Sequence, residues 1–389
     1  MSELLFLAHR VPFPPDRGDK IRSFHALRYL SRRARVHLIA FADAEGDFDP
    51  PARFTDMLAS CTILPRRKSQ PRAAVEAVLT GRPVSLTAFA DRDMAAAVAR
   101  RIRHVDATYC FSGQMAQYLP ADAPVVMDFV DVDSAKFAGF ARDSRWPLSC
   151  MMAREARLLG AFERKVAARV KASLFVSEAE ADVFRAGGAK GRVLAVENGI
   201  DCAVFDPAGA HPRPSASAPL IVFTGQMDYR PNVEAATWFA RDILPLVRQR
   251  HPAAVFAIVG RAPTAAVQAL AGEHVIVTGA VDDVRGWLAA ADVCVAPLKL
   301  ARGIQNKVLE AMAMARPVVA STAAAEGIDH EGAIRVAGDT ADFARQVSAV
   351  IEGSGHAATL GAMARAQVLR RYGWDARLAP LRALFGFGV

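Results

Sequence analysis

The sequence predicts an α/β protein of two domains, each a parallel sheet wrapped by helices, and three observations carry that expectation. The chain has 389 residues, more than one ordinary core of roughly 100–200 residues accommodates. Short apolar runs rich in β-branched residues alternate with helical stretches throughout, which is the pattern of parallel strands covered on both faces. Between the two runs of alternation lies Asp206-Pro207-Ala208-Gly209-Ala210-His211-Pro212-Arg213-Pro214-Ser215-Ala216-Ser217-Ala218-Pro219, whose composition is that of a linker.

In the first half, residues 4–8 read as a buried strand. Val11-Pro12-Phe13-Pro14-Pro15-Asp16-Arg17-Gly18-Asp19-Lys20 is a stiff loop before a helix at about 20–33, and a strand at 36–41 completes a βαβ unit, right-handed by default. Loops at the carboxyl ends of strands are where open α/β sheets bind ligands, although Pro-Pro before Gly18 also suits a plain turn. Further strands are expected at 62–64, 107–111, 125–129, 173–177 and 193–197. Val125 to Ser134 sets Asp128, Asp131 and Asp133 at and just beyond a strand's carboxyl end. Acidic groups there can orient or deprotonate a hydroxyl; alternatively Asp133 or Ser134 caps the helix carrying Lys136, Phe137 and Phe140. Glu197-Asn198-Gly199-Ile200-Asp201 closes the half with a turn suited to a glycine of positive φ.

The second half repeats the order. Strand 220–224 leads through Gly225-Gln226-Met227-Asp228-Tyr229-Arg230-Pro231-Asn232 into a helix running to about 248, with Trp238, Phe239, Ile243 and Leu244 on its apolar side. Strand 255–259 ends in Gly260-Arg261, strand 275–278 ends in Gly279, and a helix spans 284–290. Residues 293–321 then read as strand, polar loop with Arg302 and Gly303, helix at about 305–315, and strand, with Arg316-Pro317 stopping the helix and Val318-Val319 favouring extension. The first amides of a helix that opens beside a glycine loop lack backbone partners and, with the helix dipole, suit a phosphate or diphosphate. Glu310, about one turn further in, can accept two ribose hydroxyls or is an ordinary helix glutamate. Helices at about 341–351, 357–371 and 374–385 end the chain.

Gly303-Ile304-Gln305-Asn306-Lys307-Val308-Leu309-Glu310-Ala311-Met312-Ala313, followed by Pro317-Val318-Val319-Ala320, resembles the nucleotide-sugar signature of glycosyltransferase family 4, of GT-B fold. More narrowly, it is similar to the sugar transferases that accompany bacterial exosortase (PEP-CTERM) and exopolysaccharide systems. Asn198-Gly199-Ile200-Asp201 resembles the family's Asn-Gly-Val-Asp element. The loops at Gly225, Gly260 and Gly279 resemble in turn its first second-domain loop, its Val-Gly turn and its base-contacting loop. Tyr372-Gly373-Trp374-Asp375 resembles the start of its terminal helix. The resemblance is tight after Glu197 and looser before it.

That resemblance implies two Rossmann-like domains facing a cleft: an acceptor domain at 1–205, the linker at 206–219, a nucleotide-sugar domain at 220–371, and a helix at 372–389 crossing back to the first domain. It implies a retaining hexosyltransferase moving a sugar from a nucleotide-diphospho-sugar to an acceptor, a lipid-linked saccharide of exopolysaccharide biosynthesis. Donor contacts are implied at Gly18, Gly225, Arg230, Gly260, Gly279, Arg302, Gly303, Ile304, Gln305, Asn306, Lys307, Val308 and Glu310. Arg230 and Lys307 would neutralise the leaving diphosphate; Arg230 is otherwise a surface arginine. Asp131 stands where many members end the strand with a histidine facing the acceptor. Gly18 and Arg22 match the first loop. The family usually has a second glutamate eight positions before the ribose glutamate; position 302 is arginine here, a departure at the usual donor-sugar contact that leaves Arg302 to meet phosphate or donor sugar.

The sequence contains no G-x-G-x-x-G after its first strand, no P-loop, no G-x-S-x-G and no H-E-x-x-H. It has no D-x-D in the second-half loops either; Asp131-Val132-Asp133 has that spelling but lies in the acceptor half. No metal or cofactor is therefore expected. A sugar-nucleotide epimerase of the same fold, and a non-catalytic sugar-nucleotide sensor, are the rival readings. Five scattered cysteines, Cys61, Cys110, Cys150, Cys202 and Cys294, suit neither disulfides nor a zinc site. Of the net charge of +8, +7 falls in residues 1–200. The clusters Arg28/Arg32/Arg33/Arg35, Arg66/Arg67/Lys68/Arg72 and Arg100/Arg101/Arg103 are solvated helix faces or a patch for anionic lipid headgroups. Nucleic acid is not expected, because no recognition motif accompanies the charge. No apolar run reaches the roughly 18–20 residues of a membrane span, and Met1-Ser2-Glu3-Leu4-Leu5-Phe6 has no basic signal region. The expected location is the cytoplasm, with peripheral contact at the inner face of the membrane.

Overall fold

The computed structural model describes residues 2–212, 214, 219–301 and 304–387. It divides into two compact units, Met1–Asn198 with Arg377–Val389, and Gly199–Ala376.

The sheet of the first unit is built from β1 (Glu3–Ala8), β2 (Arg35–Ala42), β3 (Ser60–Pro65), β4 (Ala107–Phe111), β5 (Val125–Val130), β6 (Ala172–Phe175) and β7 (Val193–Ala195). All of its pairings are parallel, in the order β3-β2-β1-β4-β5-β6-β7. Leu4 aligns with Val36 on one side and with Ala107 on the other. Because helices cover both faces, the central strands are apolar at nearly every position, and Leu5, Phe6, Leu7 and Ala8 are all buried,. The helices used below are α1 (Gly18–Ser31), α2 (Gln70–Thr80), α3 (Asp133–Asp143), α4 (Leu148–Ala167) and α5 (Glu178–Ala186).

The second unit holds β8 (Leu220–Thr224), β9 (Val255–Val259), β10 (Val275–Val277), β11 (Val293–Ala296), β12 (Val318–Ser321) and β13 (Arg335–Ala337), again parallel, in the order β10-β9-β8-β11-β12-β13. Each sheet is therefore Rossmann-like, with the order reversing beside its first strand. The helix expected to run to about 248 is α6 (Arg230–Trp238), a π-helical turn at Phe239–Ile243, and α7 (Leu244–Arg250). Pro245 supplies no amide to the helical ladder, and the π turn lies directly before it. There follow α8 (Asn306–Ala313), α9 (Thr340–Glu352), α10 (Ser354–Arg371) and, back in the first unit, α11 (Pro380–Phe385).

Three local expectations are corrected. The terminal helix expected over 374–385 is two pieces, Trp374–Arg377 and α11, because Pro380 begins a new helix,. The stop after α8 is built before Pro317: Ala315 is left-handed (φ +53°), its amide donates to Met312 O (3.0 Å) and the Arg316 amide to Ala311 O (3.0 Å), a Schellman closure,. Gly199 is not at positive φ. It is glycine because the Trp374 backbone passes 2.6 Å from where a Cβ would stand, beside the bridge that pairs Ile200 with Gly373. Among the described residues no helix is long and apolar enough to cross a membrane.

Candidate functional site

In the second unit the reversal lies between β8 and β11, so the loops leaving those strands diverge and open a crevice. Gly225 follows β8 directly. Its amide donates to Val259 O (3.0 Å) at the end of β9, and Gly260, at φ +154°, comes so close that a Cβ there would overlap the Gly225 carbonyl oxygen. A Cβ on Gly225 would meet Asn232 Nδ2 at 2.8 Å and Lys307 Nζ at 3.2 Å. Gly260 thus admits the Gly225 backbone, and Gly225 admits two polar side chains to the crevice.

Asn232 is buried near the start of α6; its Nδ2 donates to Gln226 O (2.8 Å) and its Oδ1 accepts from Lys307 Nζ. The same ammonium stands 4.6 Å from the centroid of the Phe223 ring, a cation–π arrangement. Burial pushes Lys307 down to about 8, although Glu310 one turn along α8 works in the opposite direction. Burial raises Glu310, and Lys307 opposes it. A cation held by a neutral amide, a ring face and a half-buried carboxylate is under-compensated, which favours an anion. The backbone adds to this, since the amides of Asn306 and Lys307 have no acceptor within α8. Gln305, the N-cap residue, supplies no side-chain cap.

A second cluster surrounds the reversal of the first sheet, between β1 and β4. His9 follows β1; its ring stacks on Phe111 at the end of β4 (centroids 5.8 Å apart, 19° between planes), and its Nε2 lies 3.2 Å from Asp19. His9 Nδ1 is buried with no hydrogen-bond partner among the described residues. Burial lowers the His9 pKa against the pull of Asp19. At the end of β5, Val130 has φ +73°, uncommon for a β-branched residue,, and the turn it makes carries the chain out of the sheet just before Asp131. Asp131 is half-buried and accepts from Lys136 Nζ at 2.6 Å. Burial raises the Asp133 pKa, with Lys136 (3.5 Å) opposing.

The structure corrects several assignments. Arg22 does not face a ligand: it is fully buried, donates to both Asp128 oxygens (2.9 and 3.2 Å), to Val196 O (2.7 Å) and to Asn198 Oδ1 (3.0 Å), while the Tyr109 hydroxyl also donates to Asp128. Asp128 and Arg22 thereby tie α1, β5 and the end of the first half together. Neither Asp133 nor Ser134 caps α3; instead Glu163 of α4 accepts from the Ser134 amide (3.1 Å) and hydroxyl (2.5 Å). Burial pushes Glu163 up to about 7.

Of the donor positions, Gly225, Gly260, Lys307 and Glu310 come together with Asn232. Arg230 does not join them: its side chain is 89% exposed and its Nε donates to Glu234 (2.8 Å). Gly18 is the first residue of α1, with no protein atom within 4 Å of where a Cβ would stand, and Gly279 is a left-handed turn residue in open space. Ile304 and Gln305 are half-buried and Asn306 is exposed. Val308 packs into the core, and its amide donates to Gln305 O (2.9 Å), so a hydrophobic side chain spaced for the helix interior accounts for it. Arg302 and Gly303 lie outside the described residues. Asn232, His9 and Glu163 escape a reading of the sequence. The one available signal was Pro231-Asn232 at a helix start following a strand-end glycine.

Residues 218–353 match the family model of glycosyl transferases group 1. No curated protein sequence matches the chain. Among solved structures, HepE (Alr3699) of Anabaena, in complex with UDP, is 16% identical with a TM-score of 0.60, covering 99% of both chains. The sucrose-phosphate synthase of Thermosynechococcus elongatus is 16% identical (TM-score 0.58, 99% of this chain and 98% of that one). A glycosyltransferase of Rickettsia africae is 13% identical (TM-score 0.60, 99% and 98%). The likeness is one of fold: two Rossmann-like halves of the GT-B type.

Proposed function

We propose that this chain is a retaining glycosyltransferase that moves a sugar from a nucleotide-diphospho-sugar, bound by its second unit, to an acceptor bound by its first. The observation that carries the reading is the convergence of Lys307, Asn232 and the opening of α8 on the Gly225–Gly260 contact, inside the region matching glycosyl transferases group 1. In this reading the α8 amides and Lys307 hold the diphosphate, and Glu310 holds the ribose hydroxyls. The bond between the anomeric carbon and the diphosphate oxygen breaks. The acceptor oxygen bonds to that carbon on the same face, and its proton passes to the departing phosphate. Lys307 and the helix dipole carry the charge that develops on the leaving group, so no metal is required. Asp131, held by Lys136 Nζ at 2.6 Å, orients the acceptor hydroxyl.

The acceptor is a lipid-linked saccharide of exopolysaccharide assembly, as the resemblance to family 4 and to the PEP-CTERM-associated transferases implies. The basic first half draws the protein to anionic membranes. Structures of HepE with UDP and with UDP-glucose make uridine the first base to test. Calorimetry against a panel of nucleotide sugars identifies the donor, and incubation of that donor with and without saccharide acceptors follows. Transfer with retained configuration supports the reading. Turnover of donor alone to a second nucleotide sugar indicates an epimerase, and binding without turnover under any acceptor indicates a sensor. Arg302→Glu, which restores the usual family residue, should change sugar preference more than affinity for the nucleoside diphosphate.

A further inference from the structure

Helix α2 is packed the opposite way from a helix that only closes a core. It buries its small residues Ala73 and Ala77, while Val78 (72% exposed), Leu79 (82%) and Val75 stand in solvent. Positions 75, 78 and 79 share one face, so the large apolar residues form an outward stripe where an ordinary surface helix would turn them inward. A second apolar group stands at the tip of the α3–α4 hairpin, where Phe140, Trp146 (80%), Leu148 and Met151 are exposed.

The two groups lie on neighbouring elements. Arg154, one turn beyond Met151 on the same face of α4, donates through Nη2 to the carbonyl oxygen of Ala77 (2.8 Å) and to that of Arg82 (3.3 Å). The part of α4 that carries Met151 therefore abuts the end of α2 that carries Val78 and Leu79. Arg72 opens α2 and stands in solvent, and Arg142 and Arg145, with Asp143 between them, flank the hairpin tip and are exposed, whereas Lys68 is paired with Glu76 (2.7 Å) and Arg82 donates to Gln117 (2.8 Å). An exposed apolar patch on this scale marks an interaction surface, and its basic border says with what.

We propose that this surface seats the first unit on an anionic lipid bilayer, the outer face of α2 and the hairpin tip entering the headgroup boundary while the bordering cations meet lipid phosphates. The inference rests on the proposed membrane association and names the surface that makes it. An apolar face rimmed with cations complements an interface whose outer layer is anionic and whose next layer is hydrocarbon. The cations supply long-range attraction, and the apolar stripe supplies retention that salt does not screen.

Sedimentation with phosphatidylglycerol-containing vesicles, set against pure phosphatidylcholine vesicles, tests this. The parent should bind the anionic vesicles at low salt and stay partly bound at about 1 M salt, where the Debye length is about 3 Å. Val78→Glu/Leu79→Glu and Trp146→Glu, all at exposed positions, should each lower partitioning roughly tenfold or more, with unchanged melting. Trp146 is the sole tryptophan of residues 1–198, so brominated acyl chains should quench part of the emission in the parent and none of it in Trp146→Phe. Recovery with no vesicle overturns both the membrane association and the patch. Binding that salt abolishes and the glutamate variants leave unchanged overturns the patch alone. A self-associating parent that these variants render monomeric, with no vesicle binding, assigns the surface to a second copy of the chain and overturns the proposal.

Discussion

Lys307 is the residue on which the donor site can be tested most sharply, because burial and chemistry pull it in opposite directions. Its ammonium has the Asn232 oxygen, the Phe223 ring face and Glu310 around it. A diphosphate reaching it would add a charge-assisted hydrogen bond worth roughly 1.5–3 kcal/mol. Lys307→Met keeps the apolar stem and removes the charge, so affinity for a nucleoside diphosphate should fall by about 10–150-fold. The pH dependence follows from the same burial. The free protein loses the Lys307 proton near pH 8, whereas the complex holds it to higher pH, so the complex carries more protons in that window and affinity must fall as pH rises through 8. The limiting slope is about tenfold per pH unit. The ligand's own phosphate titration, near pH 6, is complete by then. Calorimetry with UDP from pH 7.5 to 9.5, in buffers of different ionisation enthalpy, should show proton uptake of about half a proton per ligand near pH 8. Lys307→Arg should bind without that decline, since arginine does not titrate there. Affinity flat across the range, or Lys307→Met within twofold of the parent, refutes the contact.

Glu310→Ala should weaken nucleoside diphosphate binding by at least about tenfold, and Glu310→Gln less, because it keeps the shape and one acceptor; parent-like binding by the alanine variant removes the ribose assignment. Asp131→Asn should slow transfer with donor affinity nearly unchanged, since Lys307 and Glu310 lie in the other unit, and a large loss of donor affinity would move Asp131 into the nucleotide site or the fold. Glu163, raised to about 7, binds more protons folded than unfolded between its ordinary value and 7, so its contribution to stability falls as pH rises through that window. Glu163→Gln should gain stability over the parent from pH 5 to pH 8 in denaturant titrations, by on the order of 3 kcal/mol at most; a difference that does not move with pH contradicts the burial account.

Much of the fold is legible because parallel strands covered on both faces are apolar throughout, so runs such as Leu220–Thr224 and Val255–Val259 have the same bounds in sequence and structure,. Legibility fails where an element is short or its end is set from elsewhere. Arg335-Val336-Ala337 pairs with β12 as β13, but three residues containing an arginine make no apolar run. Ala315 takes the left-handed position that usually marks itself with a glycine,. Gly361 of α10, where a Cβ would overlap the Ala315 carbonyl oxygen, is packed against that turn, and a tertiary approach of this kind leaves no local signature.

The site divides along the same line. Lys307 and Glu310 are three residues apart on one helix, so their shared face is written in their spacing. Asn232 reaches Lys307 across 75 residues of sequence, and Asp128 reaches Arg22 across 106; only the strand order brings either pair together. That order also separates two kinds of glycine effect. Gly260 is required by the close approach of β9's end to Gly225, so a side chain there should disturb the second sheet whether or not a ligand is present. Asn232 and Lys307 occupy the space that Gly225 leaves and belong to no strand. A variant at Gly260 that loses donor binding together with stability therefore reports on the strand ends, whereas one at Asn232 or Lys307 that loses donor binding at parental stability reports on the donor itself.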